Sequence, residues 1–531
     1  MRWHLHLRSA ERSEFARTTS WAICVVVWGA VAGCSFVLDS KTHQCEADVD
    51  CDGFVENGKV AGQPVCQEHV CVDLGLGPPG CVIVKVPTKQ TDYLNACTTS
   101  KAEPFDNCSR LGLCDPAMPL PPTTDPSNPM ITAPVNPVPP PTVACNDGMP
   151  PGSVIYMFGA ADFAPMLLAA QKSLSKNTPP YRAVFQNNSS CGGVNSVFDP
   201  TLKPMKDPPM GSTNGGWAFY FDDNGNQVNC VINNFAGGIV PDIGVSDLYA
   251  QTCNPAFNPG STAGAIAEYI GPVVQFGFSV PATSGQRAIS AEAVHFIFGR
   301  GGKAPPGTRM MDAAPWTEPN AYAIRNSGAA STVLTALMAD VPRTKFWGID
   351  RLSTDNLRDA LLASTSINAS IGILSIDYND KNRDNLRALY LQAKGQTAGY
   401  LPDSSAVTYD KANVRDGHYP LWGYVHFFTQ LQPGGVPSPQ ANAMVLKFRV
   451  ERLEQGLIDD IIKASLVPSC AMKVARNTEM GDFGVRDGFG CGCYFDLKTK
   501  GAASTGCQTC MTADTCPAAR PACNYGFCEV R

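Results

Sequence analysis

The placement of cysteine constrains this chain more than any other feature. Of 22 cysteines in 531 residues, nine lie between Cys45 and Cys145, three at Cys191, Cys230 and Cys253, and eight between Cys470 and Cys528. None falls between residues 254 and 469. Cysteine at such density persists where thiols oxidise, which places the chain outside the cytosol. Two clusters share a spacing, Cys45-x5-Cys51-x14-Cys66-x4-Cys71 and Cys510-x5-Cys516-x6-Cys523-x4-Cys528. Their flanks agree too, Gln63-Pro64-Val65-Cys66 against Arg520-Pro521-Ala522-Cys523. They read as two copies of one small disulfide module, because a core that size needs cross-links to hold. The competing reading, zinc held by Cys491-Gly-Cys493 and Cys507-Gln-Thr-Cys510, fits poorly with export.

Export has its own signal. Arg2, Arg8, Arg12 and Arg17 precede an apolar run from Ala22 to Gly33. Its twelve residues suit a signal-peptide core and fall short of the ~20 that span a bilayer. The run ends Val31-Ala32-Gly33-Cys34-Ser35, which resembles the bacterial lipobox. That resemblance implies cleavage before Cys34, acylation of its thiol and a stable membrane anchor. Ser35, in place of Asp, resembles the outer-membrane sorting pattern. The plainer alternative is an ordinary signal peptide with a chance cysteine. With Cys24 cleaved and Cys34 lipidated, twenty cysteines are left, compatible with ten disulfides.

The chain is too long for a single core. Its net charge of -6 offers no footprint for a polyanion, so nucleic acid is not an expected partner. From Asp115 to Pro151 it carries thirteen prolines, the composition of a polyproline-II spacer. The mature protein is expected to divide into anchor and Cys-rich modules (34–114), stalk (115–151), large domain (152–469) and Cys-rich tail (470–531).

Within the large domain, Ser153–Phe158, Tyr181–Phe185 and Ile239–Val245 read as buried strands. Each runs into a small-residue or polar turn, and helical spacing follows at Phe163, Leu167, Leu168 and Leu174. This alternation predicts an α/β sheet with ligand contacts at the carboxyl ends of strands. Ala321–Ile324 then leads into Arg325-Asn-Ser-Gly-Ala-Ala-Ser-Thr332 and a helix carrying Val333, Leu334, Leu337 and Met338. A strand, an arginine and a small-residue turn opening a helix can hold an anion on free N–H groups and a guanidinium. The same pattern is also met as a plain helix cap with a surface charge.

Four segments, in order, resemble the phosphate-binding receptors of bacterial ABC transporters, type II periplasmic binding proteins. They are Gly159-Ala-Ala-Asp-Phe-Ala-Pro165, Phe185-Gln-Asn-Asn-Ser-Ser-Cys-Gly-Gly193, Asp242-Ile-Gly-Val-Ser-Asp247 and Arg325–Thr332. Weaker echoes, such as Tyr419-Pro-Leu-Trp-Gly-Tyr424, extend the likeness over about residues 152–469. The resemblance implies two α/β lobes closing on a hinge around a small oxyanion, phosphate first, for an ABC permease or a sensor. By position it gives Ser190 a donating hydroxyl, Asp247 a proton-accepting carboxylate and Arg325 the neutralising charge. Ser331 adds a second hydroxyl, and backbone N–H groups near Phe163 and Gly328 complete the cage. Ala329 and Ala330 depart from the family's Ser-Gly, and Asp162 stands where the family has threonine. The alternative reading is a surface lipoprotein that keeps the fold for adhesion or assembly.

No enzyme, cofactor or metal is expected. The seven histidines are scattered, and neither a Gly-x-Ser-x-Gly elbow nor a Walker loop occurs.

Overall fold

The computed structural model describes residues 87–531, apart from 127–130, 133–138, 210–215, 234–236, 258, 260–264, 450–452, 505 and 531. Before residue 87 it describes 50, 64–67, 70–73, 78 and 81–82. Cys34, Cys45 and Cys51 lie outside the described residues. The chain forms two compact units, Met1–Leu74 and Gly75–Arg531. In the first, Pro64–Gln67 and Val70–Asp73 form an antiparallel hairpin with Cys66 opposite Cys71. In the second, the hairpin of Ala522–Asn524 and Phe527–Glu529 places Cys523 opposite Cys528. The shared x4 spacing thus gives the same backbone register at both ends of the chain.

The second unit is built on a thirteen-stranded sheet. Its labelled elements are β1 (Ile131–Thr132), β2 (Val154–Ala160), α1 (Ala164–Leu174), β3 (Arg182–Asn188) and α2 (Ser190–Phe198). Next come β4 (Ala218–Phe221), β5 (Gln227–Cys230), β6 (Ile243–Ser246), β7 (Ile266–Pro281), β8 (Tyr322–Ile324) and α3 (Ala330–Ala339). The series ends with β9 (Ile349–Asp350), α4 (Thr354–Leu362), β10 (Ile371–Ser375), α5 (Ile376–Lys381) and β11 (Trp422–Gln432). The main path runs β1-β9-β8-β10-β7-β11-β6-β2-β3-β4-β5.

Two parallel groups sit at either end of that path. β3, β2 and β6 are mutually parallel, β2 being buried from Met157 to Ala160, and carry α1 and α2. β10, β8 and β9 are parallel likewise and carry α3 and α4. Between them lie the two long antiparallel strands β7 and β11. The first part of β7, Ile266–Ile270, pairs with β11, and its later part, Phe276–Ser279, pairs with β10. The chain therefore crosses from one lobe to the other along β7 and returns along β11. Register slips between Ile270 and Val273. Gly271 sits in that slip, where an added Cβ would meet the Phe427 ring at 2.8 Å. The two-lobed α/β fold expected for residues 152–469 is thus present, with its crossings defined.

Phe163, on the apolar helical spacing, is core. Its ring is fully buried and packs on Phe185, Phe427 and Phe448 with centroids 5.3–5.7 Å apart. This aromatic knot fastens the start of α1 to β3, to β11 and to the helix Pro439–Phe448.

The flanking segments also differ from a simple chain of modules. The proline-rich stretch, expected to stand off as a spacer, is strapped to both lobes where it is described, its first part to the second lobe and its end to the first. The Pro121 carbonyl bonds the buried His295 ring at 2.8 Å, Thr124 N–H donates to Gly299, and Trp347 Nε1 donates to Thr124. β1 adds a parallel edge strand beside β9, and Cys145–Cys230 ties the segment's end to β5. The cysteine-rich tail is equally attached. Arg415 pairs with Asp496 in the interior, and Arg476 lies over Trp422 at 4.0 Å. Eight disulfides join sixteen described cysteines. Cys491, Cys493, Cys507 and Cys510 are all among them, bound to Cys470, to each other (Cys493–Cys507) and to Cys523.

Candidate functional site

The carboxyl ends of β2, β3 and β6 in one lobe face those of β8 and β10 in the other. From the first lobe come Ala161 and Asp162 after β2 and Ser189 and Ser190 after β3; Asp247, after β6, stands behind Ser190. From the second come Arg325 after β8, Ala329, Ala330 and Ser331 at the start of α3, Thr354 at the start of α4 and Ser375 ending β10. The space they line is about 20 Å³, room for one water-sized body.

Asp247 is fully buried; Ser190 Oγ bonds its Oδ2 at 3.4 Å, and its Oδ1 has no partner among the described residues. Burial, then the charge of Asp162, hold the Asp247 carboxyl well above the usual carboxylate range. Asp162 is half-buried and pushed up to about 6, first by desolvation and next by the charge of Asp377. The Ser375 hydroxyl and the Arg325 guanidinium pull it partly back. Desolvation lowers Arg325, and the largest charge acting against that is Asp162. Arg325 therefore answers Asp162. The groups acting on Asp247 are Asp162, Ser190 and Asp377.

Arg325 is held from one side only. Its Nη1 donates to Thr354 Oγ1 at 3.2 Å, while its buried Nε has no partner among the described residues. Ser375 Oγ and Asp377 Oδ1 are likewise buried without a well-formed hydrogen bond. Asp377 is 2% exposed, with Lys381 at 3.1 Å from its other oxygen. Ser375, Asp377 and Thr354 were not legible as site residues. The signal available was the buried run Ile371–Leu374, a strand whose end delivers Ser375 and Asp377 just as β6 delivers Asp247.

The two helix starts facing the cleft differ. At α2 the donors are used: Ser189 Oγ accepts from Gly192 N–H at 3.1 Å, and Cys191 N–H donates across the cleft to the Gly328 carbonyl at 3.1 Å. At α3 the N-cap is Ala329, which supplies no side-chain cap. The N–H groups of Ala330, Ser331 and Thr332 find no acceptor among the described residues. The cause lies in the sequence, since alanine offers no oxygen where serine would. Gly328 is a correction: its N–H is taken by Asn326 Oδ1 at 3.0 Å and its carbonyl by Cys191, so it belongs to the contact between lobes. The Phe163 ring lies in the core. Asp162, Ser190, Arg325 and Ser331 line the cleft, and Asp247 stands behind Ser190.

Fold and site together define a two-lobed α/β architecture, with polar groups from both lobes converging on one cleft. No protein-family model matches the chain, and a search of curated proteins finds no relative. Among solved structures, it is similar to a candidate phosphate ABC transporter substrate-binding protein with bound phosphate from Clostridium perfringens. That likeness has 12% identity and a TM-score of 0.39, over 59% of this chain and 99% of that one. An ABC-type phosphate transport receptor from Vibrio cholerae matches at 11% identity and TM-score 0.35, over 59% and 99%. OxyR from Corynebacterium glutamicum matches at 10% and 0.31, over 62% and 71%. At these scores the likeness carries no functional weight.

Proposed function

We propose that this chain is an exported, lipid-anchored solute-binding protein that captures a small oxyanion, phosphate first, between its two lobes. Delivery is to an ABC permease or a sensor, with Cys34 as the lipidated residue on the outer membrane. The observation that carries the reading is the convergence of unmatched groups on one cleft. Arg325 Nε and Asp247 Oδ1 are buried without hydrogen-bond partners and Ser375 Oγ without a well-formed one, beside three unanswered N–H groups at the start of α3. Each buried polar group left unpaired costs about 1–3 kcal/mol, a cost that a tetrahedral oxyanion with several acceptors removes for the donors. The raised carboxyls fit the same ligand. A protonated Asp162 or Asp247 donates to an oxyanion, whereas two ionised ones would repel it.

A second reading rests on the 20 Å³ volume and on the Cys191–Gly328 bond, which closes the cleft on itself. In that reading the fold is kept as a surface scaffold for adhesion or assembly, without a ligand. Melting curves of the full mature chain with phosphate, sulfate and a phosphate monoester separate the two. Saturable stabilisation by phosphate supports capture, and none by any of the three supports the scaffold.

A further inference from the structure

A second cavity, of about 170 Å³, lies against α5. Ile376, Asn379 and Asp380 face it, at the i, i+3 and i+4 positions of one helix face. Asp377, between them in sequence, does not line it; its charge acts on Asp162 and Asp247. The rest of the lining is mixed: Leu386, Leu401 and Pro402 give an apolar patch, and Arg383, Arg387, Asp403 and Ser405 are polar.

Its charges are arranged unevenly. Asp380 and Asp403 line it, but Lys411 Nζ reaches them at 2.7 and 2.9 Å, and Arg383 Nη2 at 2.6 and 2.7 Å. Two anions are thereby balanced by two cations. Arg387, also in the lining, is different. Its Nη1 donates to the Ser284 carbonyl, and no carboxylate among the described residues lies within ion-pair distance of it. Arg287 nearby adds to the positive field, with Glu103 as the opposing charge. An entering molecule meets an apolar patch and one guanidinium with donors to spare.

We propose that this cavity is a second ligand site, for a small organic carboxylate with an apolar body about the size of a benzene ring. The volume, about 170 Å³, sets the size of the occupant, since benzene fits in ~150 Å³. The carboxylate follows from the guanidinium fork, which pairs with two oxygens in one plane. A dianion such as phosphate is disfavoured, because Asp380 and Asp403 stand in the same wall. The site does not depend on the function of the cleft.

Benzoate is the probe, titrated calorimetrically into the full mature chain, with benzyl alcohol as the neutral ligand of the same ring. Saturable one-to-one binding of benzoate is expected. Arg387→Ala should weaken it about ten-fold or more, and benzyl alcohol should bind the parent more weakly by a similar factor. Ala406→Trp, at an exposed position on the cavity's edge, should abolish binding by filling the space. Both variants should melt with the parent, and Arg387→Ala should treat phosphate as the parent does, which keeps the two sites separable. No saturable benzoate binding by the parent, or binding that neither substitution changes, overturns the proposal.

Discussion

Cys191 and Gly328 meet across the cleft, the Cys191 N–H donating to the Gly328 carbonyl at 3.1 Å. First-turn amides of a helix have no intrahelical acceptor, so a protected Cys191 amide reports contact between lobes and nothing else. Hydrogen exchange should find that amide slow in the parent. A Cβ on Gly328 would stand 2.9 Å from Ser189 Oγ. Gly328→Ala should therefore part the lobes and speed exchange at Cys191, while amides deep in α2 keep the parent's rates.

The carboxyl cluster sets a pH dependence whose sign is fixed. Asp162 titrates near 6 in the folded chain, and Asp247 is held above the ordinary carboxylate range. An acid whose folded pKa is raised binds extra protons in the native state. Its contribution is complete at low pH and is lost as pH rises through the folded value. Without ligand, the melting temperature should fall from about pH 4 to about pH 6 on account of Asp162, and further for Asp247. Asp247→Asn, which cannot ionise, should flatten the profile and melt above the parent at about pH 8. A parent profile that rises over this range would contradict the assignment.

Lys411 sits 1% exposed between Asp380 and Asp403. Lys411→Met leaves two buried carboxylates to Arg383 alone and should cost about 3–5 kcal/mol in denaturant unfolding. A loss within experimental error would show that the network is solvated in solution.

The pairing pattern is testable by non-reducing peptide mapping. Cys510–Cys523 and Cys516–Cys528 should appear as the first-to-third and second-to-fourth links of the C-terminal cluster. Removing Cys145–Cys230, which closes a loop of 85 residues, should cost up to about 4 kcal/mol.

The sequence was most readable where buried strands end in turns. The runs Ser153–Phe158 and Tyr181–Phe185 announced strands of an α/β sheet, and Asp162, Ser190, Arg325 and Ser331 did reach one cleft. Long-range partnership was not readable. Nothing local says that Asp377 reaches across to Asp162, because that proximity is made by two lobes closing. Gly328 was misplaced for a related reason: a motif gives the position of a residue, while the packing around it decides which way its groups turn. The proline-rich segment read as a free spacer because composition reports stiffness, and its anchorage depends on carbonyls of Pro121 and Thr124 that meet distant donors.

The central claim is that the cleft captures an oxyanion through Arg325. Calorimetric titration of phosphate into the full mature chain and into Arg325→Ala tests it most directly. The account predicts one phosphate per chain in the parent and a loss of about 30-fold or more in the variant, with equal melting temperatures before ligand is added. Absence of saturable binding by the parent at millimolar phosphate, or an affinity that Arg325→Ala leaves intact, would contradict it.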